Sequence, residues 1–118
     1  MAEVSVQVFG RKDSRETRRA ERFFKERRVA ISLVDLTARA MAPTELRRFA
    51  ARLGAEALLD REGRRYRELG LAWLRMDDEE LYGRLLADQT LLRLPLVRRG
   101  DAFTAGVDEV AWKRLLVD

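Results

Sequence analysis

The chain has 118 residues, of which 47% are hydrophobic and 37% are charged, which is typical of one folded domain and not of a disordered chain. Its formal net charge of +4 is too small an excess to predict direct binding to nucleic acid. Because the chain contains neither cysteine nor histidine, zinc fingers, disulfides, thiol redox couples and histidine-based catalytic triads are excluded.

The first third of the chain predicts a strand, a helix and a second strand. Residues 4–10 alternate valine with other side chains and stop at Gly10, which is typical of a strand. Residues 16–28 follow a helical period, and residues 29–35 return to strand character. Together they form a βαβ unit, whose crossover is right-handed in nearly all proteins.

Residues 43–90 predict several helices and no strand. Pro43 is well placed to open a helix over residues 44–53, which Gly54 ends. Short helices are predicted over residues 56–60 and 65–71, and another begins at the four carboxylates of residues 77–80. The helix dipole explains that acidic run, so we predict no metal site there.

The last third predicts a hairpin and a closing helix. Residues 96–99 and 102–105 flank Gly100 and Asp101, the order of a tight turn, and residues 108–116 follow as a helix. The fold class is therefore α/β: β-α-β, a helical insertion over about residues 43–90, then β-β-α with a mixed sheet. This is the thioredoxin-like arrangement, and we expect a single domain over residues 1–118.

Two further features bear on location and packing. No apolar run approaches the ~20 residues of a transmembrane helix, and no signal-peptide pattern opens the chain, so we expect a cytoplasmic protein that does not bind membranes. Tyr66, Trp73 and Trp112 are scattered along the sequence. We predict that they pack in the core or half-buried and do not stack on bases.

Arginines follow one side of the first predicted helix. Arg18, Arg19 and Arg22 could dock a protein partner, and Arg15, with Lys25 nearby, extends the same side. The favoured interpretation is a solvated surface that pairs with the helix's own glutamates three or four residues away. The expected pairs are Glu16–Arg19, Arg18–Glu21, Glu21–Lys25 and Arg22–Glu26.

Four segments in order resemble the ArsC-type arsenate reductases and the Spx-type transcriptional regulators, a branch of the thioredoxin fold. They span nearly the whole chain and comprise FGRKDSRETRRAERFFKERRV at 9–29, LLDREGRRYRELGL at 58–71, TLLRLPLVRRGDAF at 90–103 and AGVDEVAWKRLL at 105–116. The resemblance implies the same thioredoxin-like fold that the order of elements predicts.

Ser14 stands where the resemblance implies a cysteine. Members commonly carry Y-G-x-K-x-C before the first helix, and here Phe9 opens the corresponding FGRKDS. A thiol at a helix N-terminus becomes a nucleophilic thiolate, whereas a serine hydroxyl does not. We interpret Ser14 as a helix N-cap, with Asp13 and Glu16 as a competing capping box, and predict no catalytic residue.

The resemblance also implies arginines that hold an oxyanion. One falls at Arg61, with a register ambiguity of one residue, and another should directly precede the proline of the third strand. That position is Leu94, and Arg93 lies one residue earlier, so we interpret the arsenate site as lost. The remaining candidates for binding an anion are Lys12, Ser14, Arg15, Arg61 and Arg93. Pro95 is expected to follow a cis peptide bond.

Three functions are compatible with these residues. The favoured one is a non-catalytic ArsC-like binding or regulatory module with a protein partner and no cofactor. The alternatives are an oxidoreductase that takes its sulfur from an external thiol such as glutathione, and an Spx-like regulator that binds RNA polymerase. A further alternative is that Ser14 replaces a cysteine that was deliberately substituted. The protein with that cysteine would then be a single-cysteine reductase.

Overall fold

The computed structural model describes residues 5–117, and its contacts divide them into two compact units. An α/β unit comprises residues 5–40 and 94–117, and a helical unit comprises residues 41–93. The helical unit covers the insertion predicted over residues 43–90, while the assignment of one domain to the whole chain stays a prediction. The strands and helices are β1 Val6–Gly10, α1 Arg15–Glu26, β2 Ile31–Asp35, α2 Pro43–Leu53, α3 Arg64–Glu68, α4 Asp78–Ala87, β3 Leu96–Arg99, β4 Ala102–Ala105 and α5 Glu109–Leu115.

The α/β unit is built on a four-stranded mixed sheet of order β2-β1-β3-β4. β1 pairs with β2 in parallel, and β1–β3 and β3–β4 are antiparallel. This confirms the predicted thioredoxin-like α/β fold, including the bounds of β3 and β4. Val4, which was predicted to begin β1, lies outside the described residues.

The end of α1 differs from the prediction because the chain turns earlier. Arg28 adopts the left-handed conformation with φ 57°, and the Val29 N–H donates to the Phe24 carbonyl at 2.9 Å. This is the hydrogen bond of a Schellman motif, which satisfies a carbonyl at the helix C-terminus. The helix therefore ends at Glu26 and β2 begins at Ile31, two residues later than predicted.

One apolar cluster fills the α/β unit. Val6 and Val8 of β1 lie in it with Phe23 and Phe24 of α1 and the fully buried Trp112 of α5. The ring centroids of Phe23 and Trp112 are 5.2 Å apart in an edge-on arrangement, which aromatic pairs favour. The cluster attaches α1 to the sheet and so fixes where the N-terminus of α1 lies relative to β1.

The helical unit has its own buried apolar residues, among them Leu46, Phe49, Leu58, Leu85 and Leu91. The acidic run at residues 77–80 opens α4 as predicted. Asp77 is the N-cap, and its carboxylate accepts from the Glu80 N–H at 2.8 Å. Among residues 5–117, no group of three acidic side chains is placed to hold a metal ion, and no helix is long and apolar enough to cross a membrane.

Two short helices of this unit differ from their predictions. The helix expected over residues 56–60 is a single 3₁₀ turn, Glu56–Leu58. The helix expected over residues 65–71 ends at Glu68, because Gly70 takes φ 63° and starts a separate 3₁₀ turn, Leu71–Trp73. A left-handed residue cannot continue a right-handed helix. A further 3₁₀ turn, Gln89–Leu91, was not predicted.

Candidate functional site

The loop between β1 and α1 is held against the first turn of the helix. A Cβ atom added to Gly10 would lie 2.4 Å from the Thr17 Oγ1, so only glycine allows this approach. Thr17 is fully buried, and its Oγ1 accepts a hydrogen bond from the Arg11 N–H at 3.1 Å. Gly10 and Thr17 together therefore fix the conformation of residues 11–14.

Ser14 is the N-cap of α1, as the sequence predicts. Its Oγ accepts from the Thr17 N–H at 3.1 Å and donates to the Glu16 carboxylate at 3.2 Å. The competing capping box of Asp13 and Glu16 was wrong. Asp13 instead forms an ion pair with Arg11 at 3.1 Å, which occupies its carboxylate.

Two carboxylates beside this loop, those of Asp13 and Asp35, have lowered pKa values. The hydrogen bond between the Arg11 and Asp13 side chains lowers the pKa of Asp13 and raises the pKa of Arg11. At the end of β2, the hydroxyl and the N–H of Thr37 lower the pKa of Asp35, and the backbone N–H of Lys12 contributes to the same effect. Asp35 was not identified from sequence, although an aspartate two residues before a threonine at a strand end is a common signal for a turn.

Several backbone donors of the loop are thus bound by the protein's own acceptors. The Arg11 N–H goes to Thr17, the Lys12 N–H faces Asp35, and the Ser14 N–H donates to the Arg11 carbonyl at 2.9 Å. An anion cradle at a helix start depends on N–H groups that are available to the ligand. The donors of this loop are largely committed within the chain.

The predicted anion-binding residues fall into two groups. Lys12, Ser14 and Arg15 meet at the start of α1, where the side chains of Lys12 and Arg15 are exposed. Arg61 and Arg93 lie in the helical unit, on two segments joined by an antiparallel bridge between Leu59 and Leu92. Arg93 directly follows Leu92 on one segment, and Arg61 lies two residues after Leu59 on the other.

The individual environments of those arginines also differ. Arg61 forms an exposed ion pair with Glu56 at 3.6 Å. The Arg93 side chain is exposed, while its N–H donates to the Leu58 carbonyl at 2.8 Å. In the α/β unit, half-buried Leu94 precedes Pro95, and the peptide bond between them is cis.

The expected ion pairs along α1 were wrong. Arg19 pairs instead with Glu109 of α5 at 2.9 Å, and Arg18 donates to the Lys12 carbonyl at 3.1 Å. Within the described part of the chain, Arg15, Arg18 and Arg22 form no ion pair. An exposed pair contributes only about 0–1 kcal/mol, so spacing along a helix alone does not determine which pairs form. These three exposed residues are called the α1 arginine surface below.

The aromatic predictions hold for two of the three residues. Trp112 is fully buried and Tyr66 is half-buried. Trp73 is 90% exposed, so the prediction that it packs was wrong. The turn that begins at Gly70 directs the Trp73 side chain outward, and periodicity does not report such a turn.

A family model with the description ArsC family matches residues 9–115. The chain belongs to the ArsC family. No curated protein sequence matches it. The matched range includes Ser14, Arg61, Arg93 and Pro95.

Solved structures resemble this ArsC-family chain over nearly its whole length. A YffB protein is 23% identical, with a TM-score of 0.87, over 96% of this chain and 100% of that one. An ArsC-family-related protein from Bacteroides fragilis is 18% identical, with a TM-score of 0.86, over 97% and 99%. The arsenate reductase from Vibrio cholerae is 18% identical, with a TM-score of 0.76, over 98% of each chain. At these identities the likeness establishes a shared fold.

Proposed function

We propose that this ArsC-family chain is a non-catalytic binding or regulatory module, with Ser14 in place of the nucleophilic cysteine. The observation that carries the proposal is the state of Ser14, which caps α1 through the Thr17 N–H and donates to Glu16. Reduction of arsenate to arsenite requires two electrons, which two thiols supply when they are oxidised to a disulfide. A serine hydroxyl cannot supply them, and the chain has no cysteine that could.

The surroundings of Ser14 support the same proposal. The N–H groups of Arg11 and Ser14 are bound by acceptors of the protein, and Leu94 stands where the resemblance implies an arginine. A substrate oxyanion could therefore not use these two N–H groups, and it would lack the arginine before Pro95.

The decisive experiment measures glutathione-dependent arsenate reduction by the wild-type chain and by Ser14→Ala. We expect both rates to equal the rate without protein. Turnover by the wild type that falls in Ser14→Ala would establish an enzyme that uses an external thiol and overturn the proposal. A thermal-shift titration with arsenate, phosphate, sulfate and glutathione accompanies it, because a bound ligand stabilises the fold by RT ln(1 + [L]/Kd).

The module's binding surface is proposed to be the α1 arginine surface. Arg15, Arg18 and Arg22 are exposed cations whose charges no carboxylate among residues 5–117 neutralises, so they favour an acidic protein partner. Arg19 contributes less, since Glu109 already binds its guanidinium. RNA polymerase is the partner that the Spx resemblance suggests.

Binding to purified RNA polymerase tests this surface. We expect affinity that falls steeply with salt and is lost in the Arg18→Glu/Arg22→Glu double variant. Arg84→Glu, an exposed charge reversal on α4, is the matched control and should bind like the wild type. Binding that survives the double variant would exclude the α1 arginine surface.

A further inference from the structure

The helical unit exposes large apolar side chains in one short segment. Leu69 is 36% exposed, Trp73 is 90% exposed and Leu74 is 45% exposed, and residues 41–93 contain no other large hydrophobic side chain that is comparably exposed. Single exposed apolar residues are ordinary, but three in one segment of six residues, including a tryptophan, favour an interaction site. These three residues are called the Trp73 surface.

The backbone below Trp73 is ordered. The Trp73 N–H donates to the Gly70 carbonyl and the Leu74 N–H donates to the Leu71 carbonyl, both at 3.1 Å. Leu71 is only 2% exposed and anchors the turn. The Trp73 Cδ1 lies 3.8 Å from the point where a Cβ on Gly70 would be, so the ring stands beside the glycine. The exposed ring is therefore presented by a fixed turn, which reduces the entropy lost when it binds.

A groove of about 390 Å³ begins at the same segment. Its apolar lining includes Leu74 and Met76, and its charged lining consists of Arg61, Arg75 and Glu56. Arg61 is paired with Glu56 at 3.6 Å, whereas Arg75 has no ion pair with any residue that the structure describes. The groove thus offers apolar contact beside an uncompensated positive charge.

We propose that the Trp73 surface and this groove form a docking site for a protein segment that carries an apolar side chain flanked by carboxylates. Tryptophan and arginine are the residue types that contribute most to protein–protein affinity, and Arg75 supplies charge complementarity to an acidic segment. The aliphatic Leu69 and Leu74 suit an apolar side chain better than a base, and the Glu56 carboxylate is paired with Arg61. This inference deepens the proposed binding function and rests on it.

Selection from a phage-displayed library of random dodecapeptides on the full chain tests the site. We expect enriched peptides with an aromatic or leucine residue between acidic residues. Their affinity should fall at least about tenfold in Trp73→Ala and by a smaller factor in Arg75→Glu, with a weaker salt dependence in the latter. Val110→Ala, which removes another exposed apolar side chain, is the matched control and should bind like the wild type.

Intrinsic fluorescence provides an independent readout of the same peptides. Trp112 is buried and Trp73 exposed, so iodide quenches chiefly Trp73. A peptide seated on the Trp73 surface should protect that emission from iodide and shift it to the blue. Circular dichroism of Trp73→Ala verifies that the variant is folded.

Each other outcome overturns the docking site. If the affinity of the enriched peptides is unchanged by Trp73→Ala but is abolished by Arg18→Glu/Arg22→Glu, the Trp73 surface is excluded and the proposed binding function is retained. No enrichment, or a Trp73-dependent dimer in sedimentation, or Trp73-dependent binding of single-stranded oligonucleotides also excludes a peptide site. Arsenate turnover by the wild type would instead overturn the proposed function itself.

Discussion

The two tryptophans of the chain occupy opposite environments. Trp112 is fully buried and packs against Phe23 and Phe24 in the α/β unit, whereas Trp73 is 90% exposed in the helical unit. Burial of an aromatic ring in a packed core contributes stability, and an exposed ring contributes almost none. The contrast teaches that the same residue type supports the fold in one unit and leaves surface available for binding in the other.

Trp112→Ala should have the largest effect. Loss of the ring leaves a cavity against Phe23 and Phe24, and we expect the free energy of unfolding to fall by about 3–5 kcal/mol. Trp112→Phe is the matched control. It keeps an aromatic ring and removes an Nε1–H that has no acceptor within residues 5–117, so its loss should be much smaller. Urea denaturation measures both, and equal losses would contradict this account of the core.

Gly10→Ala extends the comparison to the backbone of the α/β unit. The added methyl group would overlap the Oγ1 and Cγ2 of Thr17 at 2.4 and 2.5 Å, and such overpacking costs about 1–3 kcal/mol. Thr17→Ala removes those two atoms. A double-mutant cycle monitored by urea denaturation measures the free energy of unfolding of each variant. The double variant should lose less of it than the two single variants lose together, and strict additivity would mean that the two residues do not collide.

The stability that Asp88 contributes to the helical unit should depend on pH. The Thr90 hydroxyl and then Arg65, at 2.7 Å, lower the pKa of Asp88. A lowered pKa in the folded state gives stability that is present above aspartate's ordinary pKa of about 3.9 and is lost as the pH falls through the folded-state pKa. Asp88→Asn should cost up to about 1 kcal/mol at neutral pH, because it removes the charge that pairs with Arg65 beside the Gln89–Leu91 turn.

The measurement for Asp88 is the free energy of unfolding at neutral pH and at about pH 3. The difference between wild type and Asp88→Asn should shrink in acid. Glu26→Gln changes the net charge by the same amount at an exposed position of α1. Its difference from the wild type in the free energy of unfolding should not shrink in acid. A constant difference at both pH values would mean that the Asp88 charge is not what stabilises the turn.

Trp73→Ala should have the smallest effect on the fold. Because the ring is almost entirely in solvent, we expect the free energy of unfolding to change by no more than about 0.5 kcal/mol. Urea denaturation beside Trp112→Ala gives the direct comparison. A loss approaching that of Trp112→Ala would show that Trp73 packs against the helical unit and would end the contrast between the two residues.

Much of the fold was predictable because its signals are local. The Gly100-Asp101 turn defined β3 and β4, Pro43 opened α2, and the acidic run at residues 77–80 marked the start of α4. The short 3₁₀ turns were missed since one turn of helix has no period to detect. The end of α1 was missed because Arg28, a residue without a special preference for positive φ, closes it.

The site was less predictable than the fold. The N-cap at Ser14 follows from its side chain and its place before a helix, so sequence was sufficient. The partner of Arg19 lies ninety residues away at Glu109, and the exposure of Trp73 depends on the φ of Gly70. Neither a distant contact nor a backbone torsion is encoded in the spacing of nearby residues, which is why both predictions failed.

The serine that caps α1 also determines how this helix start responds to oxidants. A cysteine at this helix start would have at least two covalent forms, reduced and oxidised, and each would make different hydrogen bonds to Thr17. A hydroxyl undergoes no such chemistry under cellular conditions. The first turn of α1 therefore keeps one covalent structure whether its surroundings are oxidising or reducing, and exposure to peroxide does not change it.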